Sequence, residues 1–181
     1  MFDYENSPEN ELIRRAKKGD VKAFSSLYAR IYIELYKFAL YTTKHEQDAE
    51  DAVSEAVITA FEKMAQLKKD ESFRSWMFTI LCNQCRRILR ERKKSGDPME
   101  EMENHTGSTS SGSAENPDYT SAYAVKEAFG ALEEEERMIV AFSVFGGYRS
   151  EEIGTMLEKN PATVRSKKSR ALEKMRRVLD V

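Results

Sequence analysis

The sequence predicts an all-α fold in which two helical domains are joined by a flexible linker. The 181 residues include only four Pro and eight Gly, and long stretches without either favour helices. Apolar residues recur at helical spacing over 10–94 and again over 121–181, with no strand-like alternation. The segment 95–120 is rich in Ser, Gly, Asn, Thr and acids and has too few large apolar groups to order itself. We therefore expect domains at 10–94 and 121–181 and an acidic linker at 95–120.

The charge is strongly segregated along the chain. The net charge is only −2, although 33% of the residues are charged. The linker contributes acids and no base: Asp97, Glu100, Glu101, Glu103, Glu115 and Asp118. Two Cys cannot form a disulfide framework, and neither a secretory signal nor a run of about 20 apolar residues is present. We expect a cytoplasmic protein without membrane insertion.

The helix that Asp48 is expected to open has one apolar and one acidic face. Its apolar positions follow a 3.6-residue period: Ala49, Ala52, Val53, Ala56, Val57, Ala60, Phe61 and Met64. The opposite face carries Asp48, Asp51, Glu55 and Glu62. From the charge pattern alone a solvated face is favoured over a docking face for a basic partner.

A second long helix is predicted from Phe73 to about Lys93. Its expected apolar side consists of Phe73, Trp76, Met77, Ile80, Leu81 and Ile88, and its polar side of Ser75, Thr79, Cys82, Asn83, Arg86 and Arg90. Between Arg74 and Lys94 there are seven bases and one acid, which matches a nucleic-acid phosphate footprint. For Trp76 a core role is favoured over an edge contact with DNA, and Phe78 is expected to be a partly exposed aromatic.

The loop from Gln66 to Ser72 mixes Lys68, Lys69 and Ser72 with acids. Such a loop beside aromatic side chains can hold an unstacked base, because stacking on an aromatic is worth about 1–3 kcal/mol per base. Taken alone, these residues favour a plain helix connector.

The C-terminal segment has the pattern of a helix-turn-helix. Ser150 is expected to cap a short helix with Ile153, Met156 and Leu157 buried, and Glu158–Asn160 forms a tight turn. Asn160 is expected to cap the final helix with Pro161 at its first position. The segment 161–181 has seven bases and two acids. The helix has an outward side of Thr163, Arg165, Ser166, Ser169 and Arg170, and an apolar side of Val164, Ala171, Leu172, Met175, Val178 and Leu179. In this motif the second helix enters the major groove by its N-terminal residues.

Two basic helices on separate domains, joined by an acidic tether, resemble the sigma-70 family and, within it, the extracytoplasmic-function group. Four stretches are similar to family regions: AKKGDVKAFSSLY (16–28) to the opening region, DAEDAVSEAVITAF (48–61) to region 2.2, FRSWMFTILCNQCRR (73–87) to regions 2.3 and 2.4, and YRSEEIGTMLEKNPATVRSKKSRALEKM (148–175) to region 4.2. Ala162, where members often have Gly, and the Cys82–Cys85 pair depart from the pattern.

The resemblance implies a transcription initiation factor that is not an enzyme and needs no cofactor. It implies docking of the β′ clamp helices of RNA polymerase on Asp48, Asp51 and Glu55, a contact of the second domain with the β flap, promoter DNA as ligand, and an anti-sigma factor as a further partner. Candidate residues for the −10 element are Lys68, Lys69, Ser72, Arg74, Ser75, Trp76, Thr79, Asn83, Arg86, Arg87 and Arg90. Candidates for the −35 element are Thr163, Arg165, Ser166, Lys167, Ser169 and Arg170.

Three alternatives compete with this interpretation. A stand-alone helix-turn-helix regulator would bind operator DNA, but it would need neither the first basic helix nor the acidic face. An enzyme is disfavoured because the only histidines are His45 and His105, and no nucleophile–base pair, glycine-rich phosphate loop or metal cluster is evident. The spacing of Cys82 and Cys85 also permits a redox switch.

Overall fold

The computed structural model describes residues 1–68, 73–96 and 117–180, with the backbone alone for 117–120. Within these ranges the chain is helical and divides into two compact units, Met1–Lys93 and Lys94–Val181. The all-α prediction is therefore confirmed for the part of the chain described. No helix in these ranges is long and apolar enough to cross a membrane.

Five α-helices build the described part of the N-terminal unit. They are α1 (Glu9–Ala16), α2 (Val21–Ala29), α3 (Tyr32–Thr43), α4 (Glu46–Lys63) and α5 (Phe73–Ser95), and a 3₁₀ turn over Met64–Gln66 follows α4. Asp20 caps α2 by accepting a hydrogen bond from the Ala23 amide at 3.1 Å. Helix α4 begins at Glu46, two residues before Asp48, the residue predicted to open it.

Aromatic rings form the centre of the N-terminal core. The Phe38 and Phe78 rings meet edge to face at 5.7 Å, and Phe24 lies 5.3 Å from Phe61 and 6.4 Å from Phe73. Edge-to-face pairs at these separations add about 0.5–1.5 kcal/mol beyond the burial of the rings. The core thereby fixes α5 against α2 and α3 and determines which side of α5 faces outward.

Four α-helices build the described part of the C-terminal unit: α6 (Pro117–Gly130), α7 (Glu134–Val144), α8 (Ser150–Leu157) and α9 (Pro161–Leu179). Helix α6 begins inside the segment expected to be linker, whereas the expected flexibility of 97–116 lies outside the described residues. The core contains side chains from every helix, including Phe129, Phe142, Ile153 and Val164. The contacts of α6, α7 and α8 with α9 place the last helix at the centre of this unit.

Candidate nucleic-acid interface

Helix α5 has a buried face that differs in phase from the predicted one. The buried side chains are Phe73, Met77, Phe78, Leu81, Cys82, Cys85, Ile88 and Leu89. Phe78, expected to be partly exposed, is 0% exposed, and Cys82, expected on the polar side, is 2% exposed. Trp76 and Ile80, expected in the apolar cluster, are only partly buried. The prediction was wrong at these positions because the contacts that bury this helix are centred on Phe78 and Cys85.

The opposite side of α5 brings most of the predicted −10 residues together. At about 100° per residue, seven candidates fall within one sector of roughly 120° on this side, and we call them the α5 stripe: Ser75, Trp76, Thr79, Asn83, Arg86, Arg87 and Arg90. Asn83, Arg87 and Arg90 are exposed, and the others are partly exposed. The stripe runs from an aromatic, hydrogen-bonding end to a basic end.

The remaining −10 candidates lie outside the α5 stripe. Arg74 sits at the start of the helix with its guanidinium 5.1 Å from the centroid of the Phe78 ring, over the core side. Lys68 is exposed in the preceding loop. Lys69 and Ser72 lie outside the described residues.

Two arginines of the stripe, Arg87 and Arg90, make hydrogen bonds along the helix. Arg87 donates to Gln84 Oε1 at 3.1 Å and to Glu91 Oε1 at 3.0 Å, and Arg90 donates to the Arg86 carbonyl at 3.4 Å. The Arg87 and Glu91 side chains are 47% and 61% exposed. A pair this exposed is worth about 0–1 kcal/mol, so a phosphate can compete for the guanidinium.

The acidic face of α4 contains two of the three predicted docking residues. Asp51 and Glu55 are exposed, and Asp51 Oδ1 accepts a hydrogen bond from the side-chain Nε2 of Gln47 at 3.2 Å. Asp48 is 7% exposed, and its carboxylate pairs with Arg92 of α5 at 2.5 and 3.0 Å. The expectation that Asp48 belongs to the outward acidic face was therefore wrong. Ile58, which we had not singled out, is 55% exposed on this face.

The two cysteines lie in the core beneath this ion pair. Burial is the main cause that raises the pKa of the Cys85 thiol well above its ordinary value, with smaller contributions from Cys82 and Asp48. The thiol is therefore protonated near neutral pH. In the described ranges, no group of three His, Cys, Asp or Glu side chains is placed to hold a metal ion.

Helices α8 and α9 form a helix-turn-helix whose turn is locally specified. Asn160 caps α9 by accepting from the Ala162 amide at 2.8 Å, with Pro161 in the first turn as predicted. Glu158 takes the left-handed conformation at φ 55°, and the Lys159 amide donates to the Gly154 carbonyl at 2.7 Å. Ser150 is the first residue of α8 rather than its cap, because the preceding Arg149 amide donates to Glu152 Oε2 at 2.8 Å.

The outward side of α9 carries five of the six −35 candidates: Thr163, Arg165, Ser166, Ser169 and Arg170, all exposed. Val164, Ala171 and Met175 are buried on the other side as expected. Leu172 and Val178 were wrongly assigned to the apolar side, since they are 39% and 37% exposed.

Lys167, the sixth −35 candidate, is turned toward α7. Its Nζ pairs with the Glu135 carboxylate, which also lies 2.7 Å from Nζ of Lys159 in the turn. Glu136 similarly holds Lys174 at 2.8 Å. Partial burial acts to raise the pKa of Glu135 and of Glu136, but both carboxyls have lowered pKa values. Lys159 and Lys167 outweigh the burial of Glu135, and Lys174, the Glu133 amide and Arg170 together outweigh that of Glu136.

The acids of α7 pair with lysines that lie far away in the sequence. The partners of Glu135 and Glu136 follow 24 to 38 residues later, and no local spacing reveals such pairs. Arg165 also has a partner, Glu151 of α8, at 2.7 Å. The side chains of this pair are 57% and 63% exposed, so Arg165 remains accessible.

Comparison with known families identifies both units. Residues 27–95 match the family model "Sigma-70 region 2", and residues 123–175 match "Sigma-70, region 4". Together the two matches cover more than half of the chain. The protein belongs to the sigma-70 family, whose members are transcription initiation factors rather than enzymes.

Full-length relatives place the chain in the extracytoplasmic-function (ECF) group of that family. It is 28% identical to the ECF RNA polymerase sigma factor SigM of Mycobacterium tuberculosis over 93% of this chain and 83% of that protein. It is 27% identical to the ECF RNA polymerase sigma-E factor of Escherichia coli K12, over 93% of each. This chain is accordingly an ECF sigma factor.

Solved structures share the fold. CnrH in complex with the cytosolic domain of CnrY aligns with a TM-score of 0.70 at 22% identity, covering 95% of this chain and 97% of that one. The sigma factor RpoE in complex with the anti-sigma factor NepR from Bartonella quintana aligns with a TM-score of 0.72 at 22% identity, covering 89% and 99%.

Proposed function

We propose that this sigma factor binds core RNA polymerase and directs it to promoters with −35 and −10 elements, which it reads with α9 and α5. The observation that best supports this is the pair of outward polar and basic surfaces on two separate units, the α5 stripe and the N-terminal half of α9. A regulator with a single helix-turn-helix would need only the second surface.

Helix α9 is proposed to read the −35 element in the major groove. Arg165 and Arg170 are exposed on its N-terminal half, and a guanidinium can donate two hydrogen bonds to guanine O6 and N7. Thr163, Ser166 and Ser169 supply hydroxyls on the same side. Lys167 is not part of this proposal, because Glu135 holds its ammonium group.

The α5 stripe is proposed to capture an unstacked base of the −10 element. Opening costs on the order of 1.4 kcal/mol per stacked step, and stacking of a base on an aromatic returns about 1–3 kcal/mol. Trp76 is partly exposed, and its ring centroid lies 6.4 Å from that of Phe73, so part of a rigid ring system is accessible. In this proposal, Asn83 donates or accepts hydrogen bonds along the DNA strand, and Arg90 binds a phosphate of the DNA backbone. In the preceding loop, Lys68, Lys69 and Ser72 are also predicted to contact the −10 element.

Docking on the polymerase is proposed to use the outer face of α4. Asp51 and Glu55 offer carboxylates to basic side chains of the β′ clamp helices. The exposed Ile58 on the same face adds an apolar contact with those helices. The C-terminal unit is proposed to contact the β flap. Because RpoE was solved with the anti-sigma factor NepR, we include an anti-sigma factor among the proposed partners.

The test is promoter-dependent run-off transcription with purified core polymerase. We expect Arg90→Ala to reduce permanganate reactivity of the −10 region while −35 binding is kept, and Arg170→Ala to weaken promoter binding itself. Arg14→Ala, an exposed arginine on α1, is the matched control for both. Absence of promoter-dependent transcript with the wild-type chain would refute the proposed function.

A further inference from the structure

A single carboxylate joins three elements of the C-terminal unit. Glu135 near the start of α7 binds Lys159 of the helix-turn-helix turn at 2.7 Å, and its other oxygen binds Lys167 of α9. The three side chains are 29%, 38% and 30% exposed, respectively. They are partly withdrawn from water, which strengthens the pairing relative to fully exposed ion pairs.

The two lysines are positioned differently from the residues proposed to read DNA. Thr163, Ser166 and Arg170 point outward from α9, whereas Lys167 faces α7 and Lys159 precedes the helix. An ammonium group binds phosphate as a point charge without regard to sequence. Lysines freed from Glu135 would therefore add to affinity for every DNA, promoter or not.

Glu135 also links two parts of the motif. By holding one residue of the turn and one residue of α9, it ties the position of the turn to the rotation of the helix. The lowered pKa of its carboxyl, caused by hydrogen bonds from both lysines against the effect of burial, keeps it ionised at neutral pH. Both constraints thus operate under physiological conditions.

We propose that Glu135 is a specificity-determining positioning residue: it withholds Lys159 and Lys167 from non-specific phosphate contacts and sets the orientation of α9. This inference rests on the proposed function, in which α9 reads the −35 element.

The test compares Glu135→Gln with wild type in reconstituted holoenzyme, on a promoter duplex and on a promoter-free duplex of equal length, over a range of salt concentrations. Each added phosphate contact steepens the salt dependence of log K by roughly 0.9. We expect Glu135→Gln to bind the promoter-free duplex several-fold more tightly at low salt, with a slope steeper by about 1–2. The preference for the promoter duplex should fall correspondingly.

Glu127→Gln is the matched control, because it removes the same charge from an exposed position on α6. Equal salt slopes and equal preference for Glu135→Gln and Glu127→Gln would overturn the inference. Adding Lys159→Gln and Lys167→Gln to Glu135→Gln should restore the wild-type slope, and a slope that stays steep would equally refute it.

A second variant tests the same point if Glu135→Gln unfolds. With Glu135 intact, the pair Lys159→Gln and Lys167→Gln should leave the salt slope within experimental error of wild type, since those lysines are already neutralised. A slope reduced by about 1–2 would show that they contact phosphate and would overturn the inference. A wild-type holoenzyme without promoter preference would instead refute the proposed function itself.

Discussion

Asp48 and Asp51 on α4 show how two carboxylates one helical turn apart differ in role. Both fit the acidic face that the sequence predicts, yet Asp48 is turned toward α5 and bound by Arg92, whereas Asp51 is exposed. The partner of Asp48 lies 44 residues later, so helical periodicity alone could not identify it. The docking role predicted for Asp51 and Glu55 remains compatible with their exposure.

Asp48→Ala is expected to destabilise the N-terminal unit by about 2 kcal/mol or more, because it removes a nearly buried carboxylate that binds the Arg92 guanidinium through two contacts. Asp51→Ala should change the free energy of unfolding by less than about 0.5 kcal/mol, as is usual for a surface substitution. Urea denaturation measures both. Equal changes in the free energy of unfolding for the two substitutions would contradict the stabilising role of the Asp48–Arg92 ion pair.

Cys85 predicts an alkaline loss of stability. Its thiol has a raised pKa in the folded state, mainly because it is buried, against an ordinary value of 9.0. The unfolded chain therefore releases this proton first as the pH rises, and the contribution of the thiol to stability, present below about pH 9, is lost above it. Urea unfolding at several values between about pH 8 and pH 10 should show the loss, and Cys85→Ala should reduce it. The same pH dependence in both proteins would exclude Cys85 as its source.

At the level of elements, the sequence predicts the existence of α5 and α9 well but predicts the phase of α5 poorly. The cap of α9 was identifiable because Asn160 and Pro161 act through local hydrogen bonding and a fixed φ. The buried face of α5 depends on contacts from other helices, such as the Phe38 ring against Phe78. The helical wheel placed Trp76 and Ile80 on the apolar side and Cys82 on the polar side, whereas tertiary packing buries Cys82 and Cys85.

Gly154 determines how closely the two helices of the helix-turn-helix approach. A Cβ at this position would lie 2.7 Å from the Lys159 carbonyl oxygen and 3.4 Å from Pro161 Cγ. We expect Gly154→Ala to destabilise the C-terminal unit by about 1–3 kcal/mol, despite the better helix propensity of Ala, because a backbone atom must move. Thermal unfolding measures the effect, with Thr155→Ala on the exposed side of α8 as control. A Gly154→Ala variant with higher thermal stability would contradict the prediction, because it would show that the turn can move at little cost.

At the level of the whole molecule, the segregation of charge was evident from the sequence, whereas its local neutralisation was not. The bases of α5 and α9 were countable, but the structure pairs Arg92, Lys167 and Lys174 with acids of other helices. The charge offered to DNA is therefore smaller than the composition of the two helices suggests. These pairs join distant segments, so only the folded chain reveals them.

The free protein is accordingly expected to bind promoter DNA weakly. Its net charge is −2, and long-range repulsion from its 31 acids opposes a polyanion. Fluorescence anisotropy with a labelled promoter duplex should show an affinity at least tenfold lower for the free chain than for the holoenzyme at matched salt. Equal affinities would mean that polymerase contributes nothing to promoter recognition.

The length of α5 also sets the distance between the two ends of the α5 stripe. Its 23 residues extend about 35 Å, close to one helical turn of duplex DNA. Trp76 and Arg90 lie about 20 Å apart along the axis, a separation set solely by the number of residues between them. One residue inserted after Ile80 would rotate everything downstream by about 100° and bring part of the basic end onto the core side. A point substitution removes one side chain of the stripe, whereas an insertion would destroy the alignment of its two ends.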